Sequence, residues 1–340
     1  MALLACWWCP SWWAGRYAGA WFEGDPALVQ PLSDGLFEAI QRPLTPEAYV
    51  TGSARFDSEW HFGTYAMAAM AFSQLGQLDR AEVALDAMLQ PQSRVFDTEA
   101  FGVDVEEDPL GHHAALLGYG NLALSVYREA GGHRFDEVNE RWTARLDSAF
   151  QNDALLFTYP GEKYPVDNAA GLASVVVHAR ATGQPTPQWV GPWMQAYEAA
   201  WVREGLLVQS ALGEQLLRGS GTTLASFFFS HADLPLADTL AEGALDTLYD
   251  TTWRFGALRE YPPGVVGAGD IDSGPLILGY SISATGFGLS CARRVGDRER
   301  FRGLFATAWV FGAPTLDRRQ FVAGGPLGNA ILLAMMTGPT

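Results

Sequence analysis

Carboxylates carry most of the candidate chemistry in this chain. They sit in short polar segments, each just ahead of a run of small and apolar residues. The polar segments read DSEWHFG, DPLGHHA, YPVDNAA, RGSGTTL, DIDSGPL and GGPLGNA, and all but RGSGTTL and GGPLGNA carry an acid. Tyr164, Asp167 and Asn168 form the best single cluster, because a Tyr-Pro turn fixes the loop and Asp167 then opens an almost wholly apolar run. An acid at the mouth of an apolar bundle has its pKa raised, as a general acid requires. Asp270 and Asp272, with Glu260 and Tyr261, flank the longest Gly/Pro-rich loop. Asp57 and Glu59 precede another helix, beside Trp60 and the titratable His61. Two or more carboxylates meeting across a cleft suit glycosidic-bond cleavage, which needs an acid and a base or nucleophile. Asp167 and either Asp270 or Asp272 are the leading acid/base candidates, followed by Asp57 and Glu59. Tyr164, Asn168, Tyr261, Trp60, His61 and Arg218 are the substrate-binding candidates. Arg218 either grips an anionic group in a two-pronged way or neutralises Asp167 or Asp270. The plainer expectation is that Asp79, Asp167 and Ser220 cap helices.

Other chemistries lack their residues. No H-E-x-x-H spacing appears, and adjacent His112 and His113 would point about 100° apart on a helix, so no metal is expected. Glu106, Glu107 and Asp108 flank the same helix start as an acidic loop. Cys6 and Cys9 form a lone C-x-x-C without a second pair, and Cys291 lies in an apolar helix. There is no G-x-S-x-G elbow, Walker spacing or dinucleotide fingerprint, and no cofactor is expected.

The elements that must position these residues repeat about every 50 residues, the scale of arrays and closed toroids. One set of helices is rich in Ala, Gly and Ser, with few charges: Phe62 to Gly76, Gly111 to Gly131, Asp167 to Gly183, Ser220 to Ser230, Gly274 to Gly296 and Pro326 to Gly338. Such helices are buried all round. Between them lie half-charged helices: Leu32 to Gln41, Asp79 to Gln90, Phe135 to Phe150, Pro187 to Arg203, Leu234 to Trp253 and Arg298 to Phe311. An inner ring inside an outer ring satisfies both patterns. The turns after the inner helices are short and the segments before them long, so the elaborated loops gather at one end. A hairpin is expected over Leu206 to Leu217 across Gly213, with brief strands at Leu258 to Tyr261 and Gln320 to Val322.

At 48% hydrophobic and 18% charged residues the chain can bury a large core. A net charge of −16 argues against nucleic acid or an anionic membrane surface as partner. A small molecule or glycan is the expected partner. Residues 1–30 form an aromatic segment ahead of the ring domain of 31–340. Leu3-Leu4-Ala5-Cys6 has the look of a lipoprotein cleavage box, which points to the cell envelope or periplasm. The segment reads either as the remnant of an export signal or as an aromatic piece packed on the ring. No segment looks transmembrane.

In architecture the whole chain resembles the (α/α)6-toroid enzymes, which include many glycoside hydrolases, polysaccharide lyases and sugar epimerases, and the linalool dehydratase–isomerase type. The resemblance implies an all-α toroid with short hairpins in its loops and an active site in the funnel at the loop-rich end. The dehydratase–isomerase type implies pocket cysteines, whereas Cys291 falls well inside an inner helix. Glycoside hydrolysis is therefore the expected reaction. A lyase or isomerase acting on an apolar alcohol would need a funnel lined by Phe and Met. A non-catalytic scaffold would keep the polar clusters apart and solvated.

Overall fold

A computed structural model describes residue 12 and residues 14–109, 111–213 and 215–340. Cys6, Cys9 and the Leu3-Leu4-Ala5-Cys6 box lie outside the described residues. Fourteen α-helices form among them. The first, α1, covers residues 14–22. It is followed by α2 (Pro26–Gln41), α3 (Ala54–Gln74), α4 (Leu78–Met88), α5 (Val95–Phe101), α6 (Ala114–Glu129), α7 (Asp136–Asn152), α8 (Pro165–Ala181) and α9 (Val190–Trp201). The last five are α10 (Gly219–His231), α11 (Leu236–Thr247), α12 (Ile282–Arg294), α13 (Arg298–Gly312) and α14 (Gly325–Thr337).

The inner ring runs α3, α6, α8, α10, α12, α14, and α14 packs back on α3 to close it. Helices α2, α4, α7, α9, α11 and α13 alternate with these along the chain and form the outer ring. The protein is an all-α (α/α)6 toroid. Small residues explain the inner ring. Ala66, Ala68, Ala69 and Ala71 on α3 have no accessible surface, because helices with small faces approach closely on every side. Gly76 and Gly183, both at φ 67°, end α3 and α8 in the left-handed conformation that glycine adopts at no steric cost. Within residues 1–30, α1 packs on the ring: Tyr17 stacks on Trp309 and Phe22 meets Phe301 edge-on, each at 5.1 Å.

Several local expectations are corrected. Helix α3 begins about two turns before Phe62, at Ala54. The run from Gly274 becomes helical only at Ile282, where the Ser281 side chain caps the Ala284 amide. Helix α11 stops at Thr247, and the chain continues as a hairpin of β3 (Tyr249–Thr252) with β4 (Phe255–Leu258). The β-branched pair Thr251-Thr252 is the local reason. The hairpin expected across Gly213 closes instead around Glu204-Gly205, pairing β1 (Val202–Arg203) with β2 (Leu206–Leu207). Of the expected pairing, one bridge between Val208 and Leu217 remains. Near Gln320 to Val322 a bridge from Phe321 to Pro314 replaces a strand. Asp79, Asp167 and Ser220 all lie inside their helices, and none of them caps.

The polar residues at inner-helix starts share a structural task. Asn168 receives the Leu156 amide at 2.7 Å, Thr222 that of Leu207 at 2.8 Å, Thr285 that of Leu258 at 3.0 Å and Asn329 that of Phe321 at 2.6 Å. Each ties the preceding loop or strand to the helix and satisfies a buried backbone donor.

The closest approach of α6 to α8 depends on Gly118. A methyl there would lie 2.7 Å from the Asp167 carbonyl oxygen. Gly118→Ala should push the two helices apart at about 1–3 kcal/mol of stability. Urea denaturation checks this, and an unchanged midpoint would show that the interface yields freely.

Candidate active site

The inner helices run parallel and present their N-terminal halves to one cavity of about 470 Å³. All six contribute to its wall, with loop residues 158–164, 209–210 and 270–272 above them. On α3 the lining residues include Phe56, Glu59, Trp60, Gly63 and Met67, one face at helical spacing. Asp57 and His61 point elsewhere for the same reason, about 100° per residue. Asp57 receives the Thr51 amide at 2.7 Å, and His61 bonds the Leu44 carbonyl at 2.9 Å with its ring edge-on to Tyr65. Neither lines the cavity.

Five carboxylates line the cavity, and three of them are raised: Glu59 from α3, Asp167 from the first turn of α8 and Asp272 from the loop before α12, with Glu162 and Asp270 beside them. Asp167 is buried and accepts hydrogen bonds from Tyr119 at 3.0 Å and Thr158 at 2.7 Å. Burial raises its pKa to about 6 against those two donors. Burial, with the charges of Asp272 and Asp167, lifts Glu59 to about 8. Asp272 is exposed to solvent on the open side of the cavity and accepts from Gln209 at 2.8 Å. Its depth among protein atoms, and the charges of Asp270 and Asp167, push it up to about 7. Like charges in one cleft cannot all ionise at neutral pH, so the three titrate as a set.

Asp270 differs. Burial works to raise it, but the Arg218 hydrogen bonds and charge hold it below its usual value. Arg218 bonds Asp270 with both terminal nitrogens, and its Nε reaches the fully buried Glu260 at 2.6 Å. Glu260 also takes the Ser220 hydroxyl at 2.6 Å. Asp270 in turn receives the amides of Asp272 and Ser273, each at 3.1 Å. This chain of bonds aims Asp272 into the cavity. Arg218 thus acts behind the wall, stacked 5.5 Å from the Tyr261 ring. Tyr261 itself donates to the Ala268 carbonyl and does not line the cavity.

Of the expected binding residues, Trp60 and Tyr164 line the cavity. Tyr164 donates to Glu162 at 2.8 Å. Asn168 is fully buried and ties the loop to α8, with no surface in the cavity. The Glu106, Asp108, His112 and His113 loop lies outside. There His113 bonds the buried Asp97 at 2.6 Å, His112 receives the Phe157 amide, and Glu106 pairs with Arg141. No cluster of three or more metal-ligating side chains occurs among the described residues. Cys291 is buried, and burial pushes its thiol up to about 12.

Sequence reasoning missed Tyr119, Thr158, Tyr159 and Gln209. They lie mid-helix or in loops without a pattern, and only packing turns them inward. Among them the buried Tyr159 hydroxyl lies beside Glu59 without completing a hydrogen bond, and the Gln209 carbonyl also has no partner. Both residues line the cavity.

The raised carboxylates have a consequence for stability. Each holds its proton to higher pH when folded, so the native state binds more protons than the unfolded chain. The stabilising contribution of the two less accessible groups is complete below about pH 4 and is lost as pH rises through about 6 for Asp167 and about 8 for Glu59. The melting temperature should therefore fall from about pH 5 to 8, and Glu59→Gln should flatten that fall most. A melting temperature that climbs across this range would contradict the assignment.

No protein-family model matches the chain, and no curated protein matches it. Among solved structures, a glycosyl hydrolase family 88 protein from Bacteroides vulgatus is similar, with a TM-score of 0.51 at 12% sequence identity. The match covers 90% of this chain and 98% of that one. The likeness is one of fold, the closed double ring of helices. No helix among the described residues is long and apolar enough to cross a membrane.

Proposed function

We propose that the protein hydrolyses a glycosidic bond in a small hydroxylated substrate held in this cavity. The observation that carries the reading is the meeting of Glu59, Asp167 and Asp272, from three repeat units, with pKa values raised toward neutrality. The fold of the family 88 neighbour is consistent with it, and a scaffold would not gather its acids in one cleft.

The environments divide the roles. Asp167 accepts two hydroxyl hydrogen bonds, which favour its charged form, so it is the base. Glu59 has the highest pKa of the three and keeps its proton at neutral pH, so it is the acid. In the reaction, Glu59 gives its proton to the leaving-group oxygen as the glycosidic bond breaks. Water adds to the anomeric carbon and loses a proton to Asp167, and solvent returns that proton to Glu59. Trp60 and Tyr164 offer faces for the sugar ring.

The test is a screen of small glycosides with the pH dependence of turnover. Cleavage with a bell-shaped profile, whose alkaline limb is lost in Glu59→Gln, is the expected result. Full activity in both Glu59→Gln and Asp167→Asn would remove the reading. A second reading is acid-driven elimination from an apolar alcohol, favoured by the Phe and Met residues below the carboxylates. It predicts an alkene product and no new reducing end.

A further inference from the structure

The cavity is layered along the barrel axis. Glu59 and Asp167 lie in the loop-side turns of their helices, on the side of the loop carrying Asp272. Roughly two turns deeper, α3, α10, α12 and α14 contribute Met67, Leu224, Phe287 and Ile331 at one level. Between the layers lie Gly63, Gly221 and Leu327, together with Ser220, Ser283 and Tyr119, and Ser220 spends its hydroxyl on Glu260. Tyr119 spends its hydroxyl on Asp167. The floor therefore offers no hydrogen-bonding side chain.

A sugar ring carries hydroxyls around its whole edge. Seated on this floor, it would leave them unpaired and desolvated, which is costly for each group. An apolar group gains there instead.

We propose that the natural substrate is an amphiphilic glycoside whose aryl or compact hydrocarbon group is buried on the Met67, Leu224, Phe287 and Ile331 floor, with its hydroxylated ring held above at the carboxylates. The substrate class rests on the hydrolase reading, but the apolar floor can be tested separately.

Two matched series serve as probes: straight-chain alcohols from ethanol to hexanol, with benzyl alcohol, and glycosides of one sugar bearing the same groups. Binding of the alcohols is followed by titration calorimetry, and kcat/KM of the glycosides by product release. Affinity and kcat/KM should each rise roughly fourfold per methylene until the floor is filled. Leu224→Asn should flatten that dependence. Ile331→Asn is the second variant if the first melts early, since both side chains are partly exposed and line the cavity. Flat dependence on chain length in the unaltered protein, with glycosides still cleaved, would overturn the inference and leave the hydrolase reading standing. Chain-length-dependent alcohol binding with no glycoside cleaved would support the floor and overturn the hydrolase reading. Neither binding nor cleavage would overturn both.

Discussion

Asp167→Asn is expected to cut turnover by on the order of 10²–10⁴-fold while leaving the protein folded. The carboxylate accepts from Tyr119 and Thr158 and caps no backbone amide. Asparagine keeps one acceptor, and its amide can donate to a hydroxyl that turns to receive it, so the packing survives. What asparagine cannot do is take a proton from water. Asp57→Asn is the control, because Asp57 holds only the Thr51 amide and lies outside the cavity. Turnover of the best glycoside from the screen is the measurement, with melting temperature as the folding check. Activity within a few-fold of the parent in a folded Asp167→Asn protein would take Asp167 out of the reaction.

Arg218→Met should have the largest effect on stability. The guanidinium is 5% exposed and joins Glu260, 0% exposed, to Asp270. Removing it strands the Glu260 charge in the core with only the Ser220 hydroxyl and amide as partners. Breaking a buried pair in this way costs about 3–5 kcal/mol. Activity should fall as well, since Asp270 organises the turn that aims Asp272. Arg218→Lys should not restore the protein, because an ammonium cannot bridge two carboxylates with a fixed fork. Adding Glu260→Gln to Arg218→Met should recover part of the loss by removing the stranded charge. Urea denaturation of the three variants decides it. A loss below about 1 kcal/mol for Arg218→Met would mean that water or a shifted proton rescues Glu260.

The ring was legible in the sequence because its signals are local. Ala-rich runs that end at Gly76 and Gly183 mark inner helices whatever lies around them. Charges confined to one face, as in DRAEVALDAML, mark outer ones. Six such pairs at one spacing have few ways to bury every inner helix, and the closed toroid is the one observed.

The site was legible only as a set of candidates. Polar residues crowd the start of every inner helix for two physical reasons, and composition does not separate them. Asn168 and Thr222 are there to satisfy buried loop amides, whereas Asp167, one residue before Asn168, opens on the cavity. Similarly, Asp57, Glu59 and His61 look alike as a cluster, yet only Glu59 shares the inward face with Gly63 and Met67. Each step along a helix turns a side chain by about 100°, so the choice depends on how α3 rotates against its neighbours. That rotation is settled by the packing of α14 and α6 on α3, which brings together residues far apart in the chain. By itself, then, the sequence determined the toroid, its inner and outer helices and the end where loops accumulate. Only the tertiary structure decided which acids share a field, that Arg218 works behind the wall, and that the carboxylates stand above an apolar floor. Backbone periodicity is written in neighbouring residues, whereas a cavity is made by the relative rotation of helices that no local pattern encodes.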